Sequence, residues 1–379
     1  MSGIYVHIPF CQRKCIYCDF YSVGARLADW PGYVDALLAE LRARVAELPA
    51  SADTLYIGGG TPSLMPAPEF RRLASELCRY VKPDAEFTVE VNPDDVTHDR
   101  ARMWREAGVN RVSMGVQTLD DNLLRFIGRR HTARQALDAY ALLRPVFDNI
   151  SLDLIFGLPG QTRESLAQTL QQFIDLRPEH ISAYSLMYEE RTALTRMRDS
   201  GRISEADDVD SESMFRMISS RLAEAGYEQY EISNYSLPGR RSRHNASYWS
   251  GEPYIGLGPG AHSYDGLRTR RANLPDWKRY TEYWLSQSPS PVSDLPSPVL
   301  TEELSEEELV EEFIMTRLRT HEGIDLAEFE TRFGVHALKT LMAKAAPEIS
   351  RGNLRHADSR LMLTGDALLI SDQVIVELI

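Results

Sequence analysis

The chain has 379 residues, 43% hydrophobic and 26% charged, enough for two or three domains and a large buried core. Its formal charge of −13 argues against an extended basic surface for nucleic acid or anionic lipid. The longest apolar runs, such as ISLDLIFGL, are too short to span a bilayer, and no secretory pattern opens the chain, so a cytoplasmic location is expected.

The first predicted element is a strand, GIYVHIP. It runs into HIPFCQRKCIYCDFYS, which crowds Cys11, Cys15 and Cys18, three of the four cysteines in the chain, into eight positions. In a reducing compartment such thiols read as metal ligands or redox groups before disulfides. The C-x3-C-x2-C spacing suits three corners of a cubic iron–sulfur cluster, with one iron left open to a chelating small molecule. A structural zinc normally takes four protein ligands, and no fourth cysteine is near. His7 can supply a ligand but reads more simply as a wall of the core or site. Zinc and plain thiols remain the alternatives. Radical enzymes use an open iron of this kind to hold the amino and carboxylate groups of S-adenosylmethionine.

Further strands are predicted at DTLYIGGGTP, AEFTVEVNP, NRVSMGVQT, DNISLDLIFGLPG and EHISAYSLMY, rich in β-branched and aromatic residues and most of them ended by Gly or Pro. Between them WPGYVDALLAELRARVAEL, PAPEFRRLASELCRYV and TRESLAQTLQQFIDL read as amphipathic helices. Cys78, in the second of these, reads as a core thiol. Six strands alternating with helices predict a parallel sheet, most simply a partial TIM-type (β/α)6 barrel, with a doubly wound open sheet as the alternative. A barrel puts its chemistry at the C-terminal strand ends. There lie Gly58, Gly59, Gly60 and Thr61 after the second strand, Glu90 on the third, Gln117 ending the fourth and Asp153 on the fifth. Glycines let a backbone approach a ligand, although a tight turn explains them too.

Beyond residue 200 a helix, SESMFRMISSRLAEAG, leads to YEQYEISNYS and a Gly/Pro/aromatic region. SQSPSPVSDLPSP reads as a linker. An acidic helix follows, TEELSEEELVEEFIMTRLRTHEGID. Leu304 denies Thr301 a capping box, whereas Ser305 with Glu308 fits one. The remainder predicts a small α+β, winged-helix-like domain. The expected divisions are 1–235, the barrel; 236–285, an extension; and 286–379, the C-terminal domain.

Taken in order, YVHIPFCQRKCIYCDF, GGGTPS, VEVNPD, SMGVQT, DLIFGLPGQT and GLGPGAHS resemble the radical-SAM family of oxygen-independent coproporphyrinogen III oxidases, and within it the HemW-type haem-chaperone branch. The resemblance implies a 4Fe–4S cluster on Cys11, Cys15 and Cys18. It implies S-adenosylmethionine held by Gly59, Gly60 and Thr61 at the methionyl end, with Glu90, Gln117 and Asp153 at the same mouth and Tyr5, Tyr17 and Arg129 lining it. Arg129 is expected to pair the methionyl carboxylate.

Two departures separate the chain from the decarboxylating oxidases. They carry a further cysteine where this chain has Phe20, and an N-terminal extension absent here. In their place stands RHNASYW, matching the HNxxYW of the chaperone branch. His244 can offer a neutral imidazole to haem iron, Tyr248 and Trp249 flat faces, and Arg240, Arg241 and Arg243 partners for propionates. A lone histidine is more often a hydrogen-bonded structural residue, and aromatics after a loop usually pack into a core. His262 is the competing haem candidate. The expected function is haem carriage, with decarboxylation of coproporphyrinogen propionates as the alternative. Expected partners are haem and acceptor haemoproteins, membrane-bound cytochromes among them, with no nucleic acid and a monomer or haem-dependent dimer.

Overall fold

A computed structural model describes residues 1–24, 26–286 and 296–379; most of the stretch read as a linker lies outside them. Strands β1 (Gly3–Ile8), β2 (Ala52–Gly59), β3 (Val81–Val91), β4 (Arg111–Gln117), β5 (Ile150–Phe156) and β6 (His180–Ser185) run parallel, each beside the next in sequence. An order without reversal is that of a barrel; a doubly wound sheet would switch direction from its middle. Helices α1 (Asp29–Arg44), α2 (Ala67–Leu77), α3 (His98–Glu106), α4 (Asp121–Phe126), α5 (Ala133–Leu143) and α6 (Arg163–Leu176) return the chain between strands, and α7 (Ala193–Asp199) and α8 (Asp208–Glu224) follow β6. Local chemistry sets their starts. Thr97, Thr162 and Thr192 each cap a helix with a side-chain oxygen, and Thr132 with Gln135 closes a capping box.

The alternation of β1 divides two environments. Ile4, Val6 and Ile8 are fully buried in the main core, together with Leu37, Leu73, Trp104 and Phe173 of the surrounding helices. Burying each such side chain contributes roughly 1.5–3 kcal/mol. Tyr5 and His7 face the other way, into a lumen shared with Tyr56, Glu90 and Asp153, so the barrel interior is polar where the outside of the sheet is apolar.

The barrel stays open. At one edge β7 (Glu228–Gln229) and β8 (Asn234–Ser236) add antiparallel to β6. Helix α9 (Arg243–Trp249) then leads to β9 (Tyr254–Leu257), which lies parallel to β1 at the other edge. Antiparallel β10 (His262–Tyr264), β11 (Thr269–Asn273) and β12 (Val299–Glu303) widen that edge, and α10 (Trp277–Ser286) packs on α1. Buried Glu40 of α1 ties this region down. It accepts from Arg44 at 2.6 Å, the Gly258 amide at 2.9 Å, Asn273 at 2.8 Å and the Tyr280 hydroxyl at 2.5 Å.

The C-terminal domain comprises α11 (Glu306–Leu318), β13 (Ile324–Asp325), α12 (Leu326–Arg351), β14 (Leu354–Ala357), β15 (Arg360–Leu363) and α13 (Ser371–Val376). The Ser305–Glu308 capping box forms as expected. Gly334, at φ 86° and ψ 167°, breaks α12 into two helices, giving the helix–strand–helix–helix–strand–strand order of a winged helix. Phe313, Phe329, Leu341 and Leu361 belong to a core of its own. Among the described residues no helix is long and apolar enough to cross a membrane.

Candidate metal and cofactor site

The loop after β1 carries all three clustered thiols, each free and partly exposed. Backbone bonds pin it. The Cys11 amide donates to Val23 at 2.9 Å, Ile16 to Ile127 at 3.2 Å and Cys18 to Cys15 at 3.3 Å. Thr61 Oγ1 donates to Cys11 Sγ at 3.3 Å, and Arg129 Nη1 to Cys15 Sγ at 3.8 Å. Burial, abetted by Cys15 and Cys11, pushes the Cys18 thiol up to about 11 against the opposing Phe20 amide. Among the described residues no three His, Cys, Asp or Glu side chains converge on a single metal ion.

The glycine turn is packed against this loop. A Cβ on Gly60 would stand 3.0 Å from Cys11 Sγ and 2.9 Å from the Phe10 carbonyl. Gly59 has φ 108°, and its Cβ would strike the His7 ring at 2.7 Å. Glycine is therefore demanded here by the protein's own close packing, before any ligand is considered. His7 is held in place, with Nε2 at 2.9 Å from the Tyr21 carbonyl and Nδ1 at 3.1 Å from the Tyr5 hydroxyl.

Glu90 accepts from the Tyr56 hydroxyl at 2.8 Å and the Gly59 amide at 3.0 Å. Asp153 accepts from Ser113 at 3.2 Å. Burial raises both carboxyls, Glu90 to about 7 and Asp153 to about 6; their mutual repulsion adds to Glu90 and Arg111 opposes both. Solvent still reaches one side of each through the open lumen. Carboxyls raised by burial are ones whose ionised form a nearby cation would favour.

Gln117, Arg129 and Asp153 gather around Gly115. A Cβ there would meet Gln117 Nε2 at 2.9 Å and Arg129 Nη2 at 3.3 Å, and Asp153 is its register partner across β4 and β5. Gln117 itself has φ 72° at a register shift, a strained backbone for a residue with a side chain. Burial pulls Arg129 down, but Tyr17 and Cys15 outweigh it and hold the guanidinium charged. The structure thus brings Thr61 against Cys11 and Arg129 against Cys15, with Glu90, Gln117 and Asp153 at the same mouth. Tyr17 lies against Cys15 and Arg129. Tyr5 stands deeper, midway down the lumen beneath His7.

Residue-by-residue reading missed Asn92. It accepts from Arg129 at 2.7 Å and lies 3.4 Å from Thr61 Oγ1, linking the partners of two thiols. Its signal was the VNPD directly after Glu90. Tyr56 on β2 and Tyr184 on β6 were missed as lumen residues, although Tyr56 stands two positions before Gly58 on the same strand.

The RHNASYW segment departs from expectation. It forms α9, beginning at the Ser242 cap, and the Arg243 and His244 amides donate to Glu86 of β3. His244 is 1% exposed. Its Nδ1 lies 2.8 Å from Thr54 Oγ1 and its Nε2 2.9 Å from the Tyr248 hydroxyl. The ring stacks on Tyr56 at 5.0 Å, and burial holds its pKa at about 3. The expectation of a free imidazole nitrogen for haem iron is therefore not met: both nitrogens are taken, and the residue plugs the lumen at the end away from the cysteines. Tyr248 and Trp249, at the end of α9, border a cavity of about 280 Å³ that reaches the C-terminal domain. Of the neighbouring arginines, two are committed elsewhere. Arg241 pairs with Glu322 at 2.5 Å, Arg243 donates to the Asp84 carbonyl at 2.7 Å, and Arg240 is exposed. His262 is exposed on β10.

Comparison with known proteins places this geometry. Residues 5–173 match the Radical SAM superfamily, and residues 304–370 the HemN C-terminal domain. "Heme chaperone HemW" of Bacillus subtilis is 35% identical over 380 residues, covering 99% of this chain and 98% of that one. The Escherichia coli protein of the same name is 36% identical over 86% of this chain and 85% of its own. "Radical S-adenosyl methionine domain-containing protein 1, mitochondrial" of Danio rerio is 30% identical over 99% of this chain and 86% of that one. Among solved structures, coproporphyrinogen III oxidase (HemN) from Escherichia coli superposes with a TM-score of 0.83, covering all of this chain and 89% of its own; at 22% identity this likeness shows the fold alone. With relatives at such identity along their full length, the chain belongs to the radical-SAM superfamily and, within it, to the HemW family.

Proposed function

We propose that the protein is a cytoplasmic haem chaperone of radical-SAM type, binding a 4Fe–4S cluster, S-adenosylmethionine and haem, and passing haem to acceptor haemoproteins, membrane-bound cytochromes among them. The observation that carries this reading is the 35% identity to a HemW haem chaperone across essentially the whole of both chains. Family membership implies the cluster and S-adenosylmethionine. The donor set fits them: three thiols on one loop, two of them held by Thr61 and Arg129, and raised carboxyls facing the lumen.

In this reading Cys11, Cys15 and Cys18 hold the cluster, which when bound supplies a low-potential electron and an open iron. Thr61 and Arg129 donate to two of the thiolates and fix their orientation. Gly59 and Gly60 leave backbone exposed at the methionyl end, Arg129 meets the carboxylate, and Glu90, Gln117 and Asp153 accept from ribose and face the sulfonium, with Tyr5 and Tyr17 as walls. Phe20 is 67% exposed beside the cluster loop, where the decarboxylating oxidases are expected to carry a further thiol. Tyr248 and Trp249 contact haem, while His244 positions Tyr248 instead of binding iron. The chain acts as a monomer or a haem-dependent dimer, without nucleic acid.

The test is a haem titration of the purified protein by absorbance, beside anaerobic incubation of reconstituted protein with coproporphyrinogen, reductant and S-adenosylmethionine. Saturable haem binding with no protoporphyrinogen is expected; release of protoporphyrinogen would overturn the reading.

A further inference from the structure

The cavity at the end of α9 is built from distant parts of the chain. Tyr248, Trp249, Tyr254, Tyr264 and Phe313 give it aromatic walls, and Arg270, Arg317 and Arg332 give it cations. Only Tyr248 and Trp249 belong to the HNxxYW segment; all three arginines lie further along, two of them in the C-terminal domain.

The charges leave a surplus of cation. Glu252 borders the cavity but binds the N-terminal ammonium at 2.5 Å. Glu312 is paired with Arg270. Arg317 pairs at 2.7 Å with Glu328, which is 47% exposed, so a ligand can displace that pair at little cost. Arg332 makes no ion pair among the described residues; its guanidinium lies over Phe313 at 5.6 Å and Phe333 at 5.3 Å. Two donors on cavity residues, Trp249 Nε1 and Arg270 Nε, are buried without a partner. Three guanidinium groups facing one cavity carboxylate that is free of the N-terminus call for an anionic acceptor, and the aromatic walls call for a flat one.

We propose that this cavity is a carboxylate-binding subsite for a flat aromatic dianion, gripped by Arg317 and Arg332, and that its ligand is the propionate edge of haem. The identity of the ligand rests on the haem-chaperone reading above. A volume of about 280 Å³ is below the roughly 300–1,000 Å³ that encloses a whole drug-sized ligand, so the cavity takes one edge of the macrocycle. The C-terminal domain then contributes directly to haem binding, and the arginines adjacent to HNxxYW in sequence do not.

The test uses the full chain titrated with haemin and, separately, with its dimethyl ester, whose propionates carry no charge, both followed by Soret absorbance. The wild-type protein should bind haemin roughly tenfold or more tighter than the ester. Arg332→Ala should remove most of that preference while leaving ester affinity unchanged, and Arg332→Lys should restore part of it. Arg332 is exposed, so its replacement spares the fold, and Arg240→Ala serves as the neutral control. If the wild type binds neither porphyrin, the subsite falls together with the haem-chaperone reading. If it binds haemin and ester equally, or if Arg332→Ala matches the wild type on haemin, the subsite falls alone.

Discussion

Under the proposed function, Glu90 and Asp153 are the single residues that meet a positively charged ligand. Their folded pKa values, about 7 and about 6, lie above the ordinary 4.5 and 3.8, chiefly through burial. Between those limits the folded chain keeps protons that the unfolded chain has released. The ligand-free protein therefore loses stability as pH rises through about 4 to 7. A cation in the lumen reverses the preference, because it favours the ionised carboxylates. S-adenosylmethionine should accordingly bind more tightly as pH rises from about 5.5 to 8, by up to about tenfold per unit for each proton released. Calorimetry on anaerobic protein should show Glu90→Gln flattening that slope; an unchanged slope would remove Glu90 from the site. The thiols make an independent prediction. Replacing Cys11, Cys15 or Cys18 with Ala should abolish the cluster, read as iron and sulfide per chain and by Mössbauer spectroscopy. Cys78→Ala should retain it, since Cys78 lies beyond α2 with its thiol 3.8 Å from the Ala107 carbonyl. A full cluster in any of the first three variants would refute the ligand set.

At the scale of elements, the glycine turn and α9 each join two parts of the protein. A side chain at Gly60 would press on Cys11 Sγ and on two backbone carbonyls. Gly60→Val is therefore expected to lower both cluster content and S-adenosylmethionine affinity; loss of affinity with a full cluster would mean that the turn contacts only the ligand. For α9, His244→Ala strands the Thr54 and Tyr248 hydroxyls, at about 1–3 kcal/mol each when buried. A lower Tm is expected, with weaker haem binding but an unshifted Soret band. A shifted band would restore His244 as an iron ligand. These two elements also mark what could be read beforehand. The six barrel strands were legible because each β-rich run ends at a glycine, a proline or a helix cap, and the helices between them are amphipathic. The short strands β9 to β11, with segments such as YIGL and HSY, have no period to detect. α9 is only seven residues long, and the hydroxyl that binds His244 Nδ1 lies 190 positions away. The mouth of the barrel was legible because strand ends converge by topology. The carboxyl pKa values and the arginine cavity depend on packing between remote segments, which no local pattern encodes.

The molecule has two main cores, one reaching from Ile4 to Trp284 and the other from Phe313 to Leu378, joined through polar contacts and a small apolar cluster of Tyr264, Leu304 and Leu309. The acidic start of α11 faces basic residues at β11, with Glu306 on Arg268 and Glu312 on Arg270. Arg241 reaches Glu322, His321 donates its amide to the Tyr230 carbonyl at 3.0 Å, and Arg319 lies 5.9 Å over the Trp249 ring. Exposed ion pairs are individually worth about 0–1 kcal/mol, so no single pair holds the domain. Reversing two together changes attraction into repulsion along one face. Glu306→Arg with Glu322→Arg, neither of which lines the cavity, should leave each core intact while loosening the C-terminal domain from β11 and from Arg241. Hydrogen exchange should rise along β11 and the facing side of α11, with protection of β1 to β6 unchanged. Because the cavity between Trp249 and Arg332 needs both halves, haemin affinity should fall in this variant, and with it the preference for haemin over its dimethyl ester. Unchanged exchange would show that the apolar contacts of Leu304 and Leu309 with Tyr264 suffice to dock the domain. Raised exchange with undiminished haemin binding would show that the C-terminal domain is not needed to hold the propionates.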